Sequence, residues 1–464
     1  MKKNNLLKAI FIAFIFVVVL TWIIPNGTFT ETEFTNNGTM PVGIINLFRL
    51  PIMTMQTFVQ YTLVFLCIGA LYGVLNKTGV YDNVVKNIAK KWKGEEKALL
   101  IIISIAFALI GSLTGLSMVA FIVIPFVAAI LLSAGYDKMS SMLATVGSLL
   151  VGEAASLFGF NSVGYIINIF NITMTHEIIT RIILFVLLTG LYLFFVVKKS
   201  KIGTENADRS IPLFSSDQEN GRSSMPFIIT SIVFIIIVFI GSYNWYYGWN
   251  ISLFNNLDSK ISSIQIHGYP ILANILNGIS ALGYWGNYEI AVAVIIFTFL
   301  IGWLYNVKLS DILDGIKKGV KEILPVAFYA TICNIIFSIM LANTGTIYNT
   351  LLNYFAGIKD SFNIPVLSLI SLTGSVFYND FYYLLYSAAN VISSYEAVYH
   401  SVTGVLMSGI FGIMMMFLPT SIVLVAGLKY FNISYTEWLK NIWKYLLEAL
   451  FILMLVVIIV TLLI

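Results

Sequence analysis

Charge is what this sequence has least of: of 464 residues only 10% are Asp, Glu, Lys or Arg, while 59% are hydrophobic. Soluble domains carry about 25% charged residues. A water-exposed globular surface is therefore excluded, and an integral membrane protein remains. Histidine is nearly missing: His176, His267 and His400 lie far apart, near the ends of apolar runs. There is no GxSxG nucleophile turn, no GxGxxG, no P-loop and no CxxC pair. Nothing in the chain argues for an enzyme. Cys67 and Cys333 both sit inside apolar runs, which leaves no disulfide framework. The net charge of +4 calls for no nucleic-acid partner, because the lysines fall in loops between apolar runs. No cofactor or metal is called for beyond bound Na⁺.

What is present is a series of apolar runs. A crossing helix needs about 20 apolar residues, and 7–24, 55–75, 178–197, 226–243, 288–305, 323–341 and 445–464 qualify. The first follows Met1-Lys2-Lys3 but no small-residue cleavage site, so it reads as an uncleaved span. Lysines orient the runs. Loop 76–97 (Lys86, Lys90, Lys91, Lys93, Lys97), segment 198–225 (Lys198, Lys199, Lys201) and loop 306–322 (Lys308, Lys317, Lys318, Lys321) read as cytoplasmic. Loops 25–50 and 244–270 read as external. This gives a cytoplasmic N-terminus, an external C-terminus, and a polar linker over 198–225.

Four segments resist a simple crossing. The uncharged stretch 98–133 would reach about 54 Å as one helix, so the chain must turn, with Gly111-Ser112-Leu113-Thr114-Gly115 the obvious place. The same glycines also fit a GxxxG packing face. Its counterpart is Thr373-Gly374-Ser375-Val376-Phe377-Tyr378-Asn379-Asp380, where the arm from Phe362 reaches only about 18 Å before the turn. Both read as re-entrant hairpins, 98–133 and 362–396. Segments 142–170 and 402–428 carry Gly159-Phe160-Asn161-Ser162 and Leu418-Pro419-Thr420-Ser421 in mid-run, the mark of broken helices. Such breaks are where secondary transporters present half-helix ends and free carbonyls to solute and ions.

The order repeats. Leu75, Thr78, Gly79, Asn83 and Asn87 recur as Leu341, Thr344, Gly345, Asn349 and Asn353. Gly111-Ser112 matches Gly374-Ser375, and Phe170-Asn171-Ile172-Thr173 matches Phe431-Asn432-Ile433-Ser434. The offsets drift by only a few residues. With span 226–243 between them, the halves 1–197 and 288–464 point in opposite directions. The expected fold is an all-α polytopic membrane protein of about nine spans plus two hairpins, an inverted repeat of two five-element units joined through 198–225 and 226–287. Lys138 and Lys359 are then expected on opposite faces.

These residues also resemble a family. Thr21-Trp22-Ile23-Ile24-Pro25-Asn26-Gly27, Leu75-Asn76-Lys77-Thr78-Gly79, and Leu418-Pro419-Thr420-Ser421 followed by Trp438-Leu439-Lys440 are similar to the ion transporter superfamily. Within it, they resemble the anaerobic C4-dicarboxylate carrier type and its relatives of uncertain substrate. The resemblance implies an elevator-type, ion-coupled carrier in the plasma membrane, assembled as a homodimer. It also implies Ser-Asn-Thr hairpin tips that bind carboxylate and build sodium sites. Here the tips read Ser112-Leu113-Thr114 and Ser375-Val376-Phe377, without the central Asn.

The four segments hold Glu153, Asp380 and Glu396 but no Lys or Arg. That suits a cationic or zwitterionic, amino-acid-like solute moved with Na⁺ or H⁺ better than a dianion. A C4-dicarboxylate-type organic anion is the alternative that the resemblance implies. A lipid flippase, or a lipid-modifying enzyme of the cell envelope, is the alternative from another class. The expected solute and ion ligands are Ser112, Thr114, Asn161, Ser162, Thr373, Ser375, Asn379, Asp380, Thr420 and Ser421. Glu153, an ionisable group at membrane depth, is the candidate for proton coupling. Arg181, at the outer end of span 178–197, reads as an interfacial anchor. Tyr378, Phe381, Tyr382, Tyr383 and Tyr386 either pack between helices or stack on solute. Asn334 and Asn390 read equally as interhelical partners or as ligands.

Overall fold

The structure is a computed structural model describing residues 5–30, 33–203, 210–215, 221–342, 345–358 and 361–464. Lys2, Lys3, Thr344, Lys359 and parts of the linker lie outside the described residues. Among those described, nine helices are long and apolar enough to cross a membrane. The number agrees with the sequence reading, but the membership differs. Glu96–Thr114 takes the place of segment 142–170, which no helix spans unbroken, and Ala397–Met415 stands for the first part of segment 402–428.

Loop 306–322 is the clearest departure. It is not a loop but the first half of helix Leu309–Ile332. Its lysines hid an amphipathic pattern. Ile312, Gly315, Gly319 and Ile323 are buried at helical spacing, while Lys317, Lys318 and Lys321 are exposed. The buried stripe lies on helix Val59–Thr78, where the glycines meet in pairs. A Cβ at Gly73 would stand 2.0 Å from Gly315 O, and one at Gly319 would stand 1.9 Å from Gly69 O. Only hydrogen permits backbones this close. Lys77 pairs with Asp314 at the end of the contact.

The segment after helix Leu6–Ile23 also has structure. Strands Gly27–Thr30 and Glu33–Asn36 form a hairpin, and helix Ile44–Thr57 follows. Gly27 exchanges backbone hydrogen bonds with Thr346, at 3.0 Å in each direction. Early and late parts of the chain are thus tied together.

Segment 98–133 turns at Gly115, whose φ of 67° ends helix Glu96–Thr114. The arms are unequal, because the returning helix is only Ile124–Ser133. Tyr136 pairs with Ile202 across an antiparallel bridge. Burial, and next the Glu96 carboxylate beside it, push the Tyr136 phenol up to about 12. In the later segment, helices Ile364–Phe377 and Phe381–Ile392 are joined by Tyr378-Asn379-Asp380.

The linker includes a buried strap. Leu213, at φ 65°, is completely buried. Its N–H donates to Glu322 Oε2 at 2.8 Å and its carbonyl accepts from Asn76 at 3.1 Å. The neighbouring Pro212 carbonyl accepts from Tyr430 at 3.1 Å.

Candidate functional site

Two turns and two helix breaks converge on one cavity of about 510 Å³. The first turn needs glycine twice over. Gly115 is left-handed, and a Cβ there would stand 3.2 Å from Asn161 N and 3.3 Å from Gly159 Cα. The turn therefore packs main chain to main chain against the first break, which runs from Ala155 to Gly159 between helices Ser148–Ala154 and Tyr165–Phe170. Asn161 fastens the two by donating from Nδ2 to Gly115 O at 2.7 Å.

Ser112 serves the break rather than the cavity. Its hydroxyl donates to Ala155 O at 2.7 Å and accepts from Leu157 N at 3.0 Å. Its carbonyl accepts from Leu157 and Phe158 N–H groups at 2.9 and 3.0 Å. Thr114 closes the turn, bonding back to Ile110 O at 2.6 Å and accepting from Leu116 N at 3.0 Å. Thr373 and Ser375 likewise bond back one helical turn, to Leu369 O and Ser371 O.

At the second turn, Asp380 caps helix Phe381–Ile392 by accepting from Tyr382 N at 2.9 Å. Asn379 reaches two other elements, donating from Nδ2 to Asn334 Oδ1 at 2.8 Å and to Thr420 O at 3.1 Å. Asn334 is thus an interhelical partner of the site. It sits between helices Leu309–Ile332 and Ile335–Leu341. Thr420 Oγ1 is buried without a partner.

Glu153, Asn161, Ser162, Asn379, Asp380 and Ser421 line the cavity. Ser112, Thr114, Thr373, Ser375 and Thr420 are not in its wall. No Lys, Arg or His of the described residues lines it. Gln60, Tyr61, Tyr165, Trp285 and Asn287 do, and sequence reasoning passed over them. Tyr165 lies three residues past Ser162 and was passed over as one more ring of an apolar segment. Gln60, Tyr61, Trp285 and Asn287 come from elements remote in sequence, where no local signal marked them as neighbours of the turns. The aromatic question divides. Tyr378 packs against Tyr348 and Phe337, with centroids 5.4 and 6.0 Å away. Phe381 reaches the cavity wall, and Tyr382 sits edge-on to the wall residue Tyr165 at 5.2 Å.

Arg181 is not an interfacial anchor. It is 3% exposed and donates to Leu157 O, inside the first break, and to Met174 O. Its place at the end of a span suggested the interface, but the side chain is enclosed. Nearby, in the connection before helix Ile178–Lys199, burial and then the Arg181 charge hold the His176 imidazole down at about 4.

The family model described as C4-dicarboxylate anaerobic carrier matches residues 4–381, ending one residue past Asp380. An uncharacterised protein of Haemophilus influenzae is 23% identical over 295 residues, 63% of this chain. The match spans about half of that relative's length, 52%. A crystal structure of the Alcanivorax borkumensis YdaH transporter aligns over 98% of this chain and 97% of its own, at 12% identity and a TM-score of 0.41.

Proposed function

The chain belongs to the C4-dicarboxylate anaerobic carrier family, and from that membership we propose a secondary carrier for a small polar solute bearing positive charge, cationic or zwitterionic. One observation carries the choice of solute: the cavity wall holds two carboxylates, Glu153 and Asp380, and no basic side chain among the described residues. A dianion would meet like charge there, while an ammonium group would find a partner and the rings of Tyr61 and Tyr165. The family description favours a second reading, a C4-dicarboxylate. Its support within the cavity is the N-terminus of helix Ile422–Tyr430, where Ser421, Ile422 and Val423 reach the wall.

Coupling is to Na⁺ or H⁺. Glu153 is the proton-carrying candidate, and Asp380 is the candidate to pair with a cation. Thr420 and Ser421, with the turns, are candidates for an ion site. We take 1–197 and 288–464 as inverted units with re-entrant tips at Gly115 and at Asn379-Asp380. They would work as an elevator in a plasma-membrane homodimer, with the N-terminus cytoplasmic and the C-terminus external. Asn171 and Asn432, matched in the sequence repeat, are both left-handed, with φ 52° and 53°. That likeness supports the pairing of the halves.

Thermal stabilisation of the purified protein by a solute panel tests the choice of ligand. Lysine, arginine and neutral amino acids are expected to raise the melting midpoint where succinate, fumarate and malate do not. Stabilisation by the dicarboxylates alone would transfer the assignment to the second reading.

A further inference from the structure

Arg181 is a buried charge in an unusual setting. It is the fourth residue of helix Ile178–Lys199. Nη1 donates to Leu157 O and Nη2 to Met174 O, while Nε has no partner. The Phe158 ring lies 5.9 Å from the guanidinium carbon. No carboxylate of the described residues forms an ion pair with it. Glu177, one turn earlier, accepts instead from Thr180 at 2.8 Å and from Ser401 at 3.3 Å. A charge taken from water is costly unless it is partnered, and here the partners are main-chain carbonyls.

Those carbonyls matter because of where they are. Broken helices offer their freed carbonyl oxygens to cations. At the first break, Ala155 to Gly159, four of the five oxygens are already taken. Ala155 O accepts from Ser112, Leu157 O from Arg181, and Phe158 O from the Tyr243 hydroxyl at 3.1 Å. Gly159 O accepts from the N–H groups of Ser162 and Gly164.

The second break is held differently. Trp438 is also the fourth residue of its helix, Tyr435–Leu463. Its indole N–H donates to Met416 O at 2.9 Å, and Tyr435 donates to Phe417 O at 2.6 Å. All of these donors are neutral. One break thus carries a tethered cation and, among the described residues, the other carries none.

We propose that the Arg181 guanidinium is a resident cation at the first break, filling the place a mobile monovalent cation would otherwise take, so that Arg181 acts as a positioning residue for the broken helix. Under the carrier reading, ion coupling is then left to the second break. The residence of the charge stands on geometry alone and does not depend on that reading.

Chemical rescue tests it without any transported solute. Arg181→Ala removes the side chain and enlarges the adjoining void of about 10 Å³. The melting midpoint of the purified protein is followed against guanidinium, methylguanidinium and Na⁺ at low millimolar concentration, with choline at matched ionic strength. The variant is expected to melt lower than wild type and to recover saturably, by about 2 °C or more over choline. Wild type is expected not to respond to guanidinium or methylguanidinium beyond choline. A response to Na⁺ of the same size in wild type and variant belongs to the second break. Arg181→Lys and Arg181→Gln keep the proposal testable if the alanine variant does not fold, with lysine expected to hold the midpoint well above glutamine. An alanine variant that gains no response to guanidinium, methylguanidinium or Na⁺ beyond that of wild type overturns the proposal. So does a glutamine variant as stable as the lysine one, because the positive charge would then be dispensable.

Discussion

Asn379 donates its side-chain amide to Asn334 Oδ1 at 2.8 Å, joining the second turn to the discontinuity in the long helix beside it. The same nitrogen reaches Thr420 O at 3.1 Å, so one side chain ties three interruptions of helix together. Asn334 is fully buried, and its own amide is occupied by Ala330 O and Thr331 O. Removing either partner leaves the other with an unmet hydrogen bond, costing about 1–3 kcal/mol. Asn334→Ala and Asn379→Ala should each lower the melting midpoint, and the double variant should fall short of the sum by about 0.5–3 kcal/mol. Additive effects would mean that the contact does not hold the turn.

The inverted arrangement predicts opposite accessibility. On a background without Cys67 and Cys333, a cysteine at Lys138 should react with an impermeant maleimide only from the cytoplasmic side. A cysteine at Ile358, which is 55% exposed, should react only from outside. Labelling of both from one side would end the inverted reading.

Glu153 has no basic neighbour among the described residues of the cavity wall. If it carries the coupling proton, Glu153→Gln keeps the shape and the hydrogen-bonding capacity but removes the titration. Solute exchange should survive while accumulation driven by a pH gradient disappears. Undiminished pH-driven accumulation would make this carboxylate structural.

His176 predicts a pH dependence of stability rather than of transport. Its pKa falls from 6.5 to about 4 on burial. Below pH 6.5 the unfolded chain takes up a proton that the folded one refuses until about pH 4. Stability therefore declines as pH falls through that window, by at most ~1.4 kcal/mol per pH unit. His176→Gln should flatten this part of the stability curve. An unchanged slope would place its origin elsewhere.

The parts of the fold legible in the sequence are those where length or backbone chemistry leaves one solution. An uncharged stretch over 98–133 is too long to cross straight, and it turns at Gly115, where φ is 67°. Leu418-Pro419-Thr420-Ser421 interrupts its helix as a proline in mid-run should. Hidden were the roles that depend on where a hydroxyl points. Ser112 and Ser375 are the same residue in matched positions. One caps a break while the other bonds back along its own helix. Arg181 was misread because its place at the end of a span was taken for the membrane interface, whereas it turns inward to Leu157 O. The charged stretch 309–322 was legible as a helix from its buried spacing, but its lysines were given more weight than its period.

The central claim is a carrier whose cavity takes a positively charged group, and gradient-driven uptake into proteoliposomes tests it most directly. Labelled lysine, arginine, neutral amino acids and succinate are offered under imposed Na⁺ and pH gradients, to wild type and to Asp380→Asn. The account predicts concentrative uptake of a cationic or zwitterionic solute, lost or weakened at least ~10-fold in Asp380→Asn, as for about 1.4 kcal/mol of lost interaction. Concentrative uptake of succinate, with no amino acid moved and Asp380→Asn transporting as well as wild type, would contradict it.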